Sequence, residues 1–145
     1  LSKEVQRVIP FFGRPFVIKN LVCGQRLRVL ASTFPDAKII VVSRDTEDVA
    51  KSILKARKSE GVRAGTWWSV KPRGYTEYIN STEEEMVTAQ ISLINKVIEE
   101  DIQLFKPENV TSVPYSKIDK EQILELTRWI GARIKQMPSD EAFKF

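Results

Sequence analysis

Lys19, Arg44 and Ser52 are the side chains of this sequence best suited to handling an anion. Arg44 follows the β-branched run Ile39-Ile40-Val41-Val42, and Lys19 follows Phe16-Val17-Ile18, so each cation is expected where a strand ends. Ligands of open parallel sheets collect beyond the carboxyl ends of the strands, where helix N-termini offer free N–H groups and a partial positive charge. A guanidinium there can fork onto a phosphate, and Ser52, about two turns into the next helix, can add a hydroxyl donor. A second set is aromatic. Trp67, Trp68, Tyr75 and Tyr78 share an aperiodic stretch with Arg73; such rings stack on flat or sugar-like groups while the arginine meets negative charge. Each residue also has a plainer reading. Arg44 can be a surface ion pair with Asp45, Ser52 a small filler beside Val49, Ile53 and Ala56, Lys19 a solvated strand end, and the aromatics anchors of a loop pinned to the core.

The elements that must position these residues follow from pattern and punctuation. Ser2 caps a short helix through Val8 that Pro10 ends, and Phe16-Val17-Ile18 reads as a buried strand. Leu27, Leu30, Ala31 and Phe34 recur at helical spacing, giving a helix from about Gln25 to Phe34 that Pro35-Asp36 stops. The run Ile39 to Val42 does not alternate, which suits a parallel strand covered on both faces. Thr46, with Glu47 and Asp48, starts a helix that is basic later (Lys51, Lys55, Arg57, Lys58) and ends at Gly61. Residues 61–80 form the aromatic-rich loop. Overlapping capping boxes in Ser81-Thr82-Glu83-Glu84-Glu85 open the longest helix, to about Phe105. Asn109 to Val113 is a short strand ending at Pro114-Tyr115, and Asp119 with Gln122 caps a last helix whose stripe is Ile123, Leu126, Trp129, Ile130 and Ile134. The alternation predicts one α/β domain with a mainly parallel sheet flanked by helices.

Composition narrows the chemistry. The chain of 145 residues contains no histidine and one cysteine, Cys23, which excludes His-based triads, Cys/His zinc clusters and an internal disulfide. Neither GxxxxGK[ST] nor GxGxxG occurs, so no phosphate-cradling glycine loop of either common type is present. With 29% charged residues and no apolar run near the ~20 residues that span a bilayer, no membrane helix is expected. No secretory signal is read at the start, Leu1 in place of Met suggests a processed or truncated beginning, and the expected location is the cytoplasm. The net charge of +4 hides an asymmetry: residues 1–75 carry 15 Lys and Arg against 6 Asp and Glu, while residues 76–145 carry 8 against 13. The basic half points to an anionic partner. Its cations are dispersed without a recognition-helix or zinc-finger pattern, so nucleic acid is not expected.

The segment FPDAKIIVVSRDTEDVAKSIL resembles the 3′-phosphate-binding strand, loop and helix of sulfotransferases that use 3′-phosphoadenosine 5′-phosphosulfate (PAPS). The match consists of FPDAxxI, RD, DV and a serine eight residues after the arginine. TWWSVKPRGY with Asp101 is similar to a bacterial branch of that family, and VPYSKID followed by ILELTRWIG resembles its Tyr-Glu-Asp-Leu strand end and next helix; together these run from about Phe16 to Gly131. The resemblance implies a three-layer P-loop-like fold, incomplete at the N-terminus, making residues 1–145 a single partial sulfotransferase domain. It implies that PAPS is the sulfuryl donor, that no metal is needed, that Arg44 and Ser52 hold the 3′-phosphate, and that Lys19 sits catalytically beside the transferring group. Trp67, Trp68, Arg73 and Tyr75 would then meet a small-molecule or glycan-type acceptor through its hydroxyl or amine. Three departures stand out. Leu21 replaces the histidine base of small-molecule sulfotransferases, Ser116 and Lys117 replace Glu and Asp so that Tyr115 is read as structural only, and nothing before Phe16 resembles the loop that grips the 5′-phosphosulfate. Two other readings remain open: a nucleotide kinase or P-loop-type NTPase, and a degenerate, non-enzymatic nucleotide-binding or interaction module.

Overall fold

The computed structural model describes residues 16–133 together with Lys3, Arg7, Pro10, Phe11 and Gly13. The β-branched run forms strand β1 (Ile39–Ser43), which pairs in parallel with β2 (Val110–Pro114). Ile39 lies opposite Val110 and Ser43 opposite Pro114. Parallel neighbours need a long crossover. Here it contains two helices, α2 (Thr46–Ser59) and α3 (Glu83–Asp101), while α1 (Leu27–Thr33) precedes β1 and α4 (Lys120–Trp129) follows β2. The fold is α/β.

The helix starts are set by short-range hydrogen bonds. The Asp45 carboxylate accepts from the Glu47 and Asp48 amides at 2.9 and 3.1 Å, so the cap of α2 is Asp45 rather than Thr46. Thr82 and Glu85 form a reciprocal capping box on α3, and Asp119 accepts from the Gln122 amide at 2.8 Å to cap α4. At the end of α2, Gly61 takes φ +65° and the Val62 amide bonds the Arg57 carbonyl at 2.9 Å, a left-handed exit that glycine makes without strain.

The core draws most heavily on α3, which contributes buried Met86, Val87, Ala89, Ile91 and Val97; Leu27, Phe105 and Val113 are buried apolar residues from elsewhere in the chain. Gly24, in the 3₁₀ turn Cys23–Gln25, packs so tightly on Ile98 that a Cβ there would lie 3.0 Å from the Ile98 Cδ1. At the C-terminal end of α3 the buried Asp101 carboxylate is paired with Arg28 of α1 at 2.7 Å. Around the amino end of the sheet, Lys106 bonds Asp36 at 2.9 Å, and Lys38 donates to the Trp129 carbonyl while lying over its ring.

Four sequence expectations change. Phe16, Val17 and Ile18 are not a buried strand: they are 57%, 69% and 60% exposed and outside any ladder. A strand needs a neighbour for its N–H and C=O groups, and among the described residues the sheet is limited to β1 and β2. β1 is covered on one part only, half-buried from Ile39 to Val41 and exposed at Val42 and Ser43. The longest helix stops being α-helical at Asp101 and tightens into a 3₁₀ turn, Ile102–Leu104, before buried Phe105. The Ser2-to-Val8 helix lies largely outside the described residues, as does Ile134; Pro10, expected to end that helix, is itself helical, as is Phe11. No helix among the described residues is long and apolar enough to cross a membrane.

Candidate functional site

The carboxyl edge of the β1–β2 pair is where Arg44 emerges. Because Ser43 and Pro114 are register partners, the next residue of each strand leaves the sheet beside the other, and the Arg44 guanidinium lies over the Tyr115 ring, 5.1 Å from its centroid. Arg44 is exposed and forms no ion pair among the described residues. No ion pair with Asp45 forms; Asp45 Oδ1 instead accepts from two α2 amides, which turns that side chain toward the helix start. The same cap has a cost for anion binding. The amides expected to face a phosphate at the start of α2 are taken by Asp45, and Glu47 and Asp48 add negative charge to that turn. An anion at this edge would rest on Arg44 rather than on the helix terminus.

Ser52 lies on the exposed side of α2, so it is not a filler of the core, and its hydroxyl makes no hydrogen bond with the described residues. It sits about 9 Å along the axis from Thr46. Lys19 is exposed at the end of the unpaired Phe16–Ile18 segment, just before Asn20, whose side-chain oxygen accepts from the Val22 amide at 2.8 Å to turn the chain. No hydrogen bond among the described residues joins Lys19, Arg44 and Ser52 to one another.

The aromatic set is gathered elsewhere. Trp67 and Tyr75 meet edge to face with centroids 5.3 Å apart, Trp67 Nε1 donates to the Val70 carbonyl at 2.9 Å, and Trp68 Nε1 donates to Glu60 at 3.2 Å. Lys71 lies over the Tyr75 ring at 5.6 Å, while Arg73 is exposed and unpaired among the described residues. Two buried side chains that the sequence reading passed over clasp this loop. Gln90 of α3 donates to the Trp68 and Val70 carbonyls at 2.9 and 2.7 Å. Arg57 of α2, 2% exposed, donates to Glu83 at 2.6 Å and to the Thr66 carbonyl at 2.9 Å. Ser69, between the two carbonyls bound by Gln90, takes a left-handed φ of 69°, a conformation that these hydrogen bonds hold in place. A polar residue interrupting the apolar face of α3 was the available signal for Gln90.

Two shallow grooves, about 620 and 510 Å³, border α2 and α3. Neither is lined by Lys19, Arg44, Ser52, Trp67, Trp68, Arg73 or Tyr75. Among the described residues no group of His, Cys, Asp and Glu is arranged to hold a metal ion.

No family model, curated protein or solved structure matches the chain. The candidate site therefore stands on its geometry. That geometry offers an exposed arginine at the carboxyl end of a parallel strand pair, its hydrogen-bond donors uncommitted among the described residues.

Proposed function

We propose that this chain is a sulfotransferase-type domain of P-loop-like, three-layer design that binds PAPS and passes its sulfuryl group to a hydroxyl or amine acceptor. The observation that carries this reading is Arg44 at the carboxyl end of β1, set there by the Ser43–Pro114 register and without an ion pair among the described residues, Asp45 being turned to cap α2. A guanidinium so placed suits a phosphate dianion, which it meets with two parallel charge-assisted hydrogen bonds. In this reading Arg44 binds the ribose 3′-phosphate and Ser52 contributes a hydroxyl to the same group. The Lys19 ammonium lies against the sulfuryl oxygens. Transfer of a sulfuryl group resembles transfer of a phosphoryl group: the acceptor attacks in line, the bond to the bridging oxygen breaks, and cations placed against the bridging and equatorial oxygens offset the charge. With no histidine in the chain, the proton of the acceptor passes to a carboxylate or to solvent. The loop carrying Trp67, Trp68, Arg73 and Tyr75 faces the acceptor in this proposal, with the exposed Arg73 as its cation.

Calorimetric titration of the full-length gene product tests the reading. Adenosine 3′,5′-bisphosphate is expected to bind more tightly than 5′-AMP. Loss of a charge-assisted pair costs roughly 1.5–3 kcal/mol, so Arg44→Ala is expected to weaken the bisphosphate on the order of 10- to 100-fold and to leave 5′-AMP nearly unchanged. Equal binding of the two nucleotides by the wild type, or equal weakening of both by Arg44→Ala, overturns it.

A further inference from the structure

We infer that Tyr115 is a positioning residue: its ring holds the Arg44 guanidinium ready for a phosphate without using any of the donors that bind it. This rests on the assignment of Arg44 to the 3′-phosphate and adds a residue to which the sequence assigns no role. The placement is built by the sheet. Register brings Ser43 opposite Pro114, Pro114 leaves β2 at φ −63°, and Tyr115 opens a 3₁₀ turn, Tyr115–Lys117, that keeps its side chain at the sheet edge. The guanidinium carbon then sits 5.1 Å from the ring centroid.

The chemistry of the holder matters. An exposed arginine otherwise samples many rotamers, and binding must order it. A carboxylate could order it too, but would occupy its N–H groups and cancel the charge a phosphate needs. A ring face attracts the cation through its quadrupole and leaves hydrogen-bond donors and charge in place. The nearest carboxylate in sequence, Asp45, makes no ion pair with Arg44, its Oδ1 being directed to the α2 amides. Cap and ring thus act in one direction, the first removing a competitor and the second supplying a neutral support.

The test uses the full-length gene product with Tyr115→Phe, Tyr115→Leu, Arg44→Ala and the double variant Tyr115→Leu/Arg44→Ala. Side-chain NMR of Arg44 is expected to show a ring-current shift of its Nε–H in the wild type and Tyr115→Phe, absent in Tyr115→Leu. Titration is expected to show that Tyr115→Phe retains affinity for adenosine 3′,5′-bisphosphate and that Tyr115→Leu weakens it about two- to fivefold. Binding of 5′-AMP is expected to stay the same, and the double variant to bind no more weakly than Arg44→Ala alone. Absence of the ring-current shift overturns the inference. So does a Tyr115→Phe loss equal to that of Tyr115→Leu, which would assign the effect to the phenol hydroxyl, or a Tyr115→Leu loss that persists without Arg44, which would make Tyr115 a direct contact. A wild type that does not prefer the bisphosphate overturns the cofactor reading and this role together; a wild type that prefers it with Tyr115→Leu unchanged overturns the positioning role alone.

Discussion

The aromatic loop and the carboxyl edge of the sheet are made of similar residues whose polar atoms are disposed in opposite ways. Both set a cation over a tyrosine, Lys71 over Tyr75 and Arg44 over Tyr115. In the loop the hydrogen-bonding groups are paired: Trp67 Nε1 donates to the Val70 carbonyl and Trp68 Nε1 to Glu60, while the Thr66, Trp68 and Val70 carbonyls accept from the buried Arg57 and Gln90. Among the described residues, the Arg44 guanidinium at the sheet edge and the Ser52 hydroxyl on α2 form no hydrogen bond or ion pair. Residue type does not distinguish the two regions; what distinguishes them is whether the polar atoms are already paired. A buried polar group must be paired to be tolerated, whereas a binding group must be kept unpaired until its ligand arrives.

The comparison can be broken from either side. The largest expected effect is on the loop. Arg57→Ala leaves Glu83 and the Thr66 carbonyl without their partner, and is expected to cost about 2–3 kcal/mol in urea unfolding while the folded fraction keeps its nucleotide affinity. If bisphosphate binding falls as far as with Arg44→Ala, the two regions are not separable. Ser52→Ala should do the reverse: stability within about 0.5 kcal/mol of wild type, with bisphosphate binding weakened about threefold. A clear loss of stability would return Ser52 to a packing role.

The smallest effect concerns the cap that starts α3, the helix bearing Gln90. Hydrogen bonds from the Thr82 amide and hydroxyl hold the Glu85 carboxyl below its ordinary value of 4.5. A depressed carboxyl stabilises the fold above its unfolded-state pKa, and that contribution disappears as pH falls through the folded-state value. Lowering pH from 7 to 3 should therefore reduce the Tm of wild type slightly more than that of Glu85→Gln. Equal losses would show that the cap does not contribute to the clasp.

What the sequence determined by itself is the part governed by neighbours a few positions apart. Asp119 and Gln122, Thr82 and Glu85, and Gly61 after the basic end of α2 are contacts across three or four residues, so residue type and spacing are enough to place them. The β-branched runs likewise announce β1 and β2. Strand partners are another matter. Phe16-Val17-Ile18 has the composition of a strand and stays exposed, because a ladder is a property of two segments and composition describes one. The fate of Arg44 had the same dependence. Next to Asp45 it reads as half of an ion pair, and only the folded chain shows the carboxylate drawn to the α2 amides and the guanidinium over Tyr115, a residue brought alongside by the register of two strands far apart in sequence. Local hydrogen bonds decided where helices begin; long-range pairing decided which side chains the described residues leave without a hydrogen-bond partner.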